Sequence, residues 1–199
     1  MRKVRQSLYL VLLCCMIGSS QILYSQTLVY EGFLRGNKVG ELTAQREVND
    51  ENVKIYVSTD IEAHMLFTID VFLDSQSTYI DQELKESSSL SKVNGTLKSS
   101  VQTVQHEGYY QIDKDGENKK LKESSVIGAD IFYFEEPKNI DEAYSLALGE
   151  MMDVEKGEEP GVYFFEQDGK KEYHRYKNGK LAELKIDHAL YTITFKIKQ

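Results

Sequence analysis

The chain has no tryptophan, two prolines and two cysteines in 199 residues, and it is short of positive charge, with 24 Lys+Arg against 32 Asp+Glu. Each shortage excludes something. Both cysteines, Cys14 and Cys15, lie in the first fifteen residues, so the body of the chain has no disulfide, no thiolate nucleophile and no cysteine-bound metal. The excess of acid argues against nucleic acid and anionic lipid headgroups, both of which attract basic patches. After Leu8–Ile17 there is no second long apolar run, which excludes a helical membrane anchor. With so few prolines, little interrupts regular structure.

The first apolar run follows Arg2, Lys3 and Arg5 and leads into Gly18, Ser19 and Ser20. A basic start, a short apolar core and small residues make a secretory signal peptide, too short to span a bilayer. Residues 1–25 are therefore read as a leader and 26–199 as one domain, with cleavage after Ser25 or after Ser20. Acylation needs a small residue before the cysteine, whereas Leu13 precedes Cys14 and Cys14 precedes Cys15. Losing Arg2, Lys3 and Arg5 makes the mature chain three charges more negative than the formal −8. Roughly 170 residues without disulfides must hold together by burial, and a chain of that length buries about 70% of its unfolded surface.

What is abundant is alternation. The C-terminal third, Gly161 to Lys198, reads as four antiparallel strands, with Asp168-Gly169 and Asn178-Gly179 as two-residue hairpin turns. Counting outward from Asn178-Gly179 pairs Lys177 with Lys180, Arg175 with Ala182 and Tyr173 with Leu184. Counting from Asp168-Gly169 pairs Phe164 with Tyr173 and Val162 with Arg175. A loop at Asp187–Leu190 sets Ile186 against Tyr191. One face then collects Val162, Phe164, Tyr173, Leu184, Ile186, Ile193 and Phe195 and is dry. The other, with His174 opposite Glu183, is wet.

Upstream, Leu28–Arg35 and Val39–Val48 form a hairpin turning at Gly36-Asn37, and Val53–Thr59 continues it. Leu42, Ala44 and Val48 share a face with Val53, Ile55 and Val57. Met65, Phe67, Ile69, Val71 and Leu73 alternate in the next strand, and Tyr109–Asp113 and Glu117–Lys122 flank a turn. At Asn139 the pattern changes. With Glu142 three residues on it makes a capping box, and Ile140, Tyr144, Ala147 and Met151 follow helical spacing. The expected fold is all-β: a curved antiparallel meander of about 9–11 strands, an open or closed barrel, with one helix near residues 139–152.

Chemical motifs are sparse. Asp113–Asn118 lacks the glycine and glutamate of a calcium loop and reads as a turn. The acids between Glu150 and Glu159 read as a solvated loop, and Asn94-Gly95-Thr96 as a turn. His64, His106, His174 and His188 have neither zinc spacing nor a partner nucleophile. No catalytic residue, metal or cofactor is assigned, and the chain is read as a non-enzyme.

The anomaly is charge on the dry face, where Glu31, Arg46 and Arg175 all land. An unpaired buried guanidinium costs several kcal/mol, on the order of the penalty for any buried ion. Slipped registers, strand ends that reach water, or a wet cavity with its own ligand each accommodate the three. The ligand-binding candidates are accordingly Glu31, Arg46, Arg175, Phe67, Phe164 and Phe195.

Tyr30, the Gly36-Asn37-Lys38-Val39-Gly40 turn, Phe132-Tyr133-Phe134-Glu135-Glu136-Pro137 and Glu172–Lys180 together resemble an exported Gram-negative family of unknown function. The resemblance covers most of 27–197 and extends, distantly, to periplasmic lipoprotein carriers with a half-barrel fold. It implies a curved sheet in the periplasm or cell envelope and brings no functional residues. Two functions stay open: holding a lipid or other apolar small molecule on the concave face, or meeting an envelope protein partner through an acidic surface around a solid core.

Overall fold

A computed structural model describes residues 23–64, 68–167, 169–188 and 191–198. From the first of these, every strand but one turns back on its predecessor through a short connection. The first eight are β1 (Leu23–Leu34), β2 (Asn37–Asn49), β3 (Asn52–His64), β4 (Thr68–Ile80), β5 (Glu83–Val93), β6 (Thr96–His106), β7 (Tyr109–Lys114) and β8 (Glu117–Leu121). Six more follow residues 122–141: β9 (Glu142–Ser145), β10 (Glu150–Lys156), β11 (Val162–Gln167), β12 (Lys170–Lys177), β13 (Lys180–His188) and β14 (Tyr191–Ile197). The turns are those the composition supplies. Arg35-Gly36, Asn94-Gly95, Asp115-Gly116 and Asn178-Gly179 have positive φ at both positions, the geometry whose twist matches paired strands.

All fourteen strands form one antiparallel sheet in the order β8-β7-β6-β5-β4-β3-β2-β1-β14-β13-β12-β11-β10-β9. The first and last strands pair in its middle, Tyr30 with Ile197, so the sheet's two edges come from mid-sequence. Among the described residues β8 and β9 do not pair, and the barrel is open there. Side chains bridge the gap: Thr103 and Tyr144 hydroxyls lie 2.6 Å apart, and Lys119 reaches Glu150 at 2.9 Å.

The expected helix at 139–152 is replaced by β9, a turn at 146–149 and β10. Asn139 has φ +59 and Gly149 φ +67, neither compatible with a helix interior. Met152 and Val154 are buried between exposed or half-buried neighbours, a period of two that competes with the four residues at helical spacing. The only helical turn among the described residues comes ten residues earlier, a 3₁₀ turn at Ala129–Tyr133. The strands beyond the expected 9–11 include β9 and β10, which take the place of the helix.

The registers counted across the β2–β3 and β11–β12 turns hold. Arg46 faces Ile55 and Val48 faces Val53, and across Asp168-Gly169 Phe164 faces Tyr173, all as the sequence predicts. Between Arg175 and Tyr176 a bulge shifts the β12–β13 ladder, so Arg175 faces Glu183 and His174 faces Leu184. One extra residue inverts every side chain beyond it. His174 and Tyr176 therefore point inward, and Tyr173 and Arg175 outward. A second bulge at Gly32/Phe33 sets Glu31 against Glu41 and not Leu42. The β13–β14 connection is shorter than expected, with Ile186 facing Ile193. That shift is even, and the faces survive it.

Alternating turns divide the barrel's rims. The upper rim carries Arg35-Gly36, Asn94-Gly95, Asp115-Gly116, turn 146–149 and the strand ends at His64, Thr68, Gln167, Lys170, His188 and Tyr191. The lower rim carries 50–51, 81–82, 107–108, 157–161 and 178–179. Residues 122–141 leave from the lower rim and return to it, so they stopper that end.

Candidate ligand cavity

The stopper is an apolar segment, Val126 to Phe134, with one acid inside it, Asp130. It can enter the barrel because the inner faces of β3–β6 carry small side chains. Thr59, Ser75, Ser77, Ser87, Ser89 and Thr103 are all buried. Tyrosines then fasten it. The Tyr176 hydroxyl donates to the Phe132 carbonyl at 2.8 Å, Tyr163 donates to Glu136 at 3.0 Å, and the Val126 N–H donates to Tyr110 at 3.2 Å. Burial holds the Tyr176 hydroxyl well above the usual phenol range, so it stays a donor.

Asp130 is buried and accepts hydrogen bonds from the Ser77 hydroxyl and, at 2.5 Å, the Tyr79 hydroxyl, both on β4. Burial raises its carboxyl pKa, and the hydroxyls oppose that rise. Gly128 makes the approach possible, because a Cβ there would lie 2.1 Å from the Tyr79 hydroxyl.

Above the stopper, in the upper half of the barrel, is a cavity of about 270 Å³. Its floor is Ala129, Asp130 and Tyr133. Its walls are largely apolar: Leu42, Val57 and Ile61 on one side, Phe165, Leu184, Ile193 and Phe195 on the other. Val71, Leu73 and Ile186 are only half-buried and lie on the upper parts of their strands. The polar lining is Asp130, Glu172, His174, Thr59, Ser75, Ser145 and Tyr133. His174 is 6% exposed, and its ring stacks on Phe165 with centroids 4.2 Å apart. Its Nε2 lies 3.3 Å from Glu172, while its Nδ1 is buried with no hydrogen-bond partner.

Of the six candidates named from sequence, Phe195 lines the cavity. Arg46 does lie on the inner face, but at the lower rim. Its Nη1 meets Glu135 at 2.5 Å, Nη2 meets Gln26 at 3.2 Å, and the guanidinium stacks 4.9 Å over Phe134. It clamps the end of the stopper. Glu31, Arg175 and Phe164 are corrected to the outer face. Glu31 pairs with Lys38 at 2.9 Å. Arg175 donates to the Tyr173 hydroxyl at 2.6 Å and is 3.7 Å from Glu159. Phe164 lies between Tyr173 and Lys171. Phe67 lies outside the described residues. His174, expected as a surface partner of Glu183, is inside.

The residues missed were Asp130, Glu172 and His174. A lone acid in an apolar run was the available signal for Asp130. The other two are hidden by the bulge, which leaves no mark of its own in sequence. Among the described residues no group of His, Cys, Asp and Glu is placed to hold a metal, and no helix is long and apolar enough to cross a membrane.

The backbone has a counterpart among solved structures. It is similar to the crystal structure of a β-barrel-like protein of domain of unknown function DUF1849 from Brucella abortus, with a TM-score of 0.54 at 10% identity, over 90% of this chain and 98% of that one. At that identity the likeness speaks for the fold alone. No curated protein matches the chain in sequence. The family model for DUF6134, a domain of unknown function, matches residues 30–198, from the central tyrosine of β1 through the stopper to the end of β14, and the chain belongs to that family.

Proposed function

We propose that this is an exported, non-catalytic binding protein of the cell envelope that holds a small apolar or amphipathic molecule above its stopper. The observation that carries the reading is the cavity itself. Its 270 Å³ is nearly twice the roughly 150 Å³ of an apolar void that admits benzene. Half-buried Val71, Leu73 and Ile186 give it an apolar approach from the upper rim. A sheet serving only as a scaffold gains nothing from an unfilled interior, which forfeits packing energy. Against catalysis, the His174 ring bonds to the Glu172 carboxylate and, among the described residues, hydrogen-bonds to no hydroxyl or thiol that it could activate.

Native mass spectrometry of the mature protein, purified gently from its host, tests this. A small organic mass should accompany the wild type and be missing from Val71→Phe, whose ring projects into the cavity. A bare wild-type mass, with no uptake of added short-chain amphiphiles, would leave the scaffold reading in its place.

Export also makes a prediction about processing. Cleavage after Ser25 would strip Leu23, Tyr24 and Ser25 from β1 and leave Glu47, Val48 and Asn49 paired with β3 alone. Cleavage after Ser20 leaves β1 whole. The intact mass of the mature chain should therefore correspond to Gln21 as first residue, and a mass beginning at Gln26 would refute this.

A further inference from the structure

The polar lining restricts what the cavity accepts. We infer that its ligand carries a hydrogen-bond-donating head, an alcohol or a protonated amine on a short alkyl chain, placed against His174 and Glu172. This rests on the binding reading above and adds the head-group chemistry to it.

Glu172 sets the polarity. Its carboxylate can only accept, so the His174 nitrogen facing it at 3.3 Å, Nε2, carries the proton. In the neutral ring Nδ1 is then an acceptor, and it is the atom that is buried without a partner. An unmatched buried acceptor asks for a donor. Among the described residues the other ionisable groups of the lining are Asp130 and Tyr133, and no described lysine or arginine contributes to it. Arg46, which faces the interior, is committed to Glu135 and Gln26 at the lower rim. A carboxylate or phosphate head would thus bring negative charge beside two acids, Glu172 and Asp130, with no cation of the described lining to meet it. An alcohol or an alkylammonium brings what is missing, and the ammonium adds attraction to Glu172.

The size agrees with a modest chain. Taking a methylene as comparable to the ~30 Å³ that a water occupies in the liquid, the cavity holds on the order of eight carbons and a head.

Isothermal titration of the mature chain at neutral pH with 1-octanol, octylamine and octanoate tests the assignment. Octanol and octylamine should bind, with octanoate at least ten-fold weaker. Glu172→Gln should remove the advantage of octylamine over octanol. His174→Phe keeps the stack on Phe165 but lacks the acceptor, and should weaken octanol about ten-fold, the worth of one hydrogen bond. Val71→Phe should abolish binding of all three. Octanoate binding as tightly as octylamine would overturn the head-group assignment while leaving the cavity reading intact. Failure of every probe, with Val71→Phe indistinguishable from wild type, would overturn the cavity reading itself.

Discussion

Gly40→Ala should destabilise the protein by at least about 3 kcal/mol, because the added methyl meets backbone that cannot move aside. A Cβ at this position would lie 2.0 Å from the Asp60 carbonyl oxygen and 2.9 Å from both the Asp60 carbonyl carbon and the Ile61 Cα. Side-chain rotation relieves none of these contacts. Gly40 pairs with Ile61 on β3 and with Gly32 on β1, beside the Gly32/Phe33 bulge. Relief therefore requires β2 to part from β3 in the middle of the sheet. Gly36→Ala is the control. Gly36 has φ +85, but nothing lies within 4 Å of its Cβ position, so the cost is left-handed strain alone, about 1–2 kcal/mol. In urea, Gly40→Ala should lower the unfolding midpoint well below that of Gly36→Ala, with a melting temperature down by roughly 6–12 °C for a chain of this size. Equal losses in the two variants would show that close approach of β2 and β3 is not what position 40 requires.

How far the sequence discloses this molecule depends on whether its signals are local. Two-residue Asx-Gly turns fix register over the strands they join, which is why the Asn178-Gly179 hairpin begins correctly with Lys177 against Lys180. The β2–β3 pairs and the inward set Ile69, Val71 and Leu73 follow from alternation alone. Bulges are not local in that sense. The residue they add is settled by the twist of the whole sheet, and everything beyond it changes face. The warning was indirect: Arg175 on an apolar face is costly, and that cost marked a wrong register. Arg46 carried the same warning with a different meaning, since it does face inward and finds Glu135 on the stopper. The false helix has a similar lesson. Four apolar residues at helical spacing are outweighed by Met152 and Val154 alternating, because β10 gains ladders with both β9 and β11. The cavity was out of reach because its floor is the stopper, placed by contacts with β4, β7, β11 and β12 that are distant in sequence.

Those contacts make Asp130 the second site of large effect. Asp130→Ala should destabilise by about 2–5 kcal/mol, since it strips two buried hydroxyls, on Ser77 and Tyr79, of their shared acceptor at roughly 1–3 kcal/mol each. Asp130→Asn keeps an acceptor oxygen and most of the volume and should cost less. The two variants also separate packing from charge. Burial raises the Asp130 pKa above its unfolded value, so over the interval between the two values the folded chain holds this proton and the unfolded chain releases it. Stability from this group is then greatest in acid, below the ~3.9 of an unfolded aspartate, and is lost as pH rises through the folded value. Glu41, Glu83 and Glu150, whose pKa values their lysine partners lower, pull the other way, so the wild-type profile alone mixes both trends. The difference between Asp130→Asn and wild type isolates the aspartate, because the remaining groups cancel. Measured by urea unfolding from acid to neutral pH, that difference should shift in favour of the asparagine as pH rises and then level off. A gap that stays constant across the series would mean that the stopper is held by the shape of its fit alone, with no ionisation at Asp130 in play.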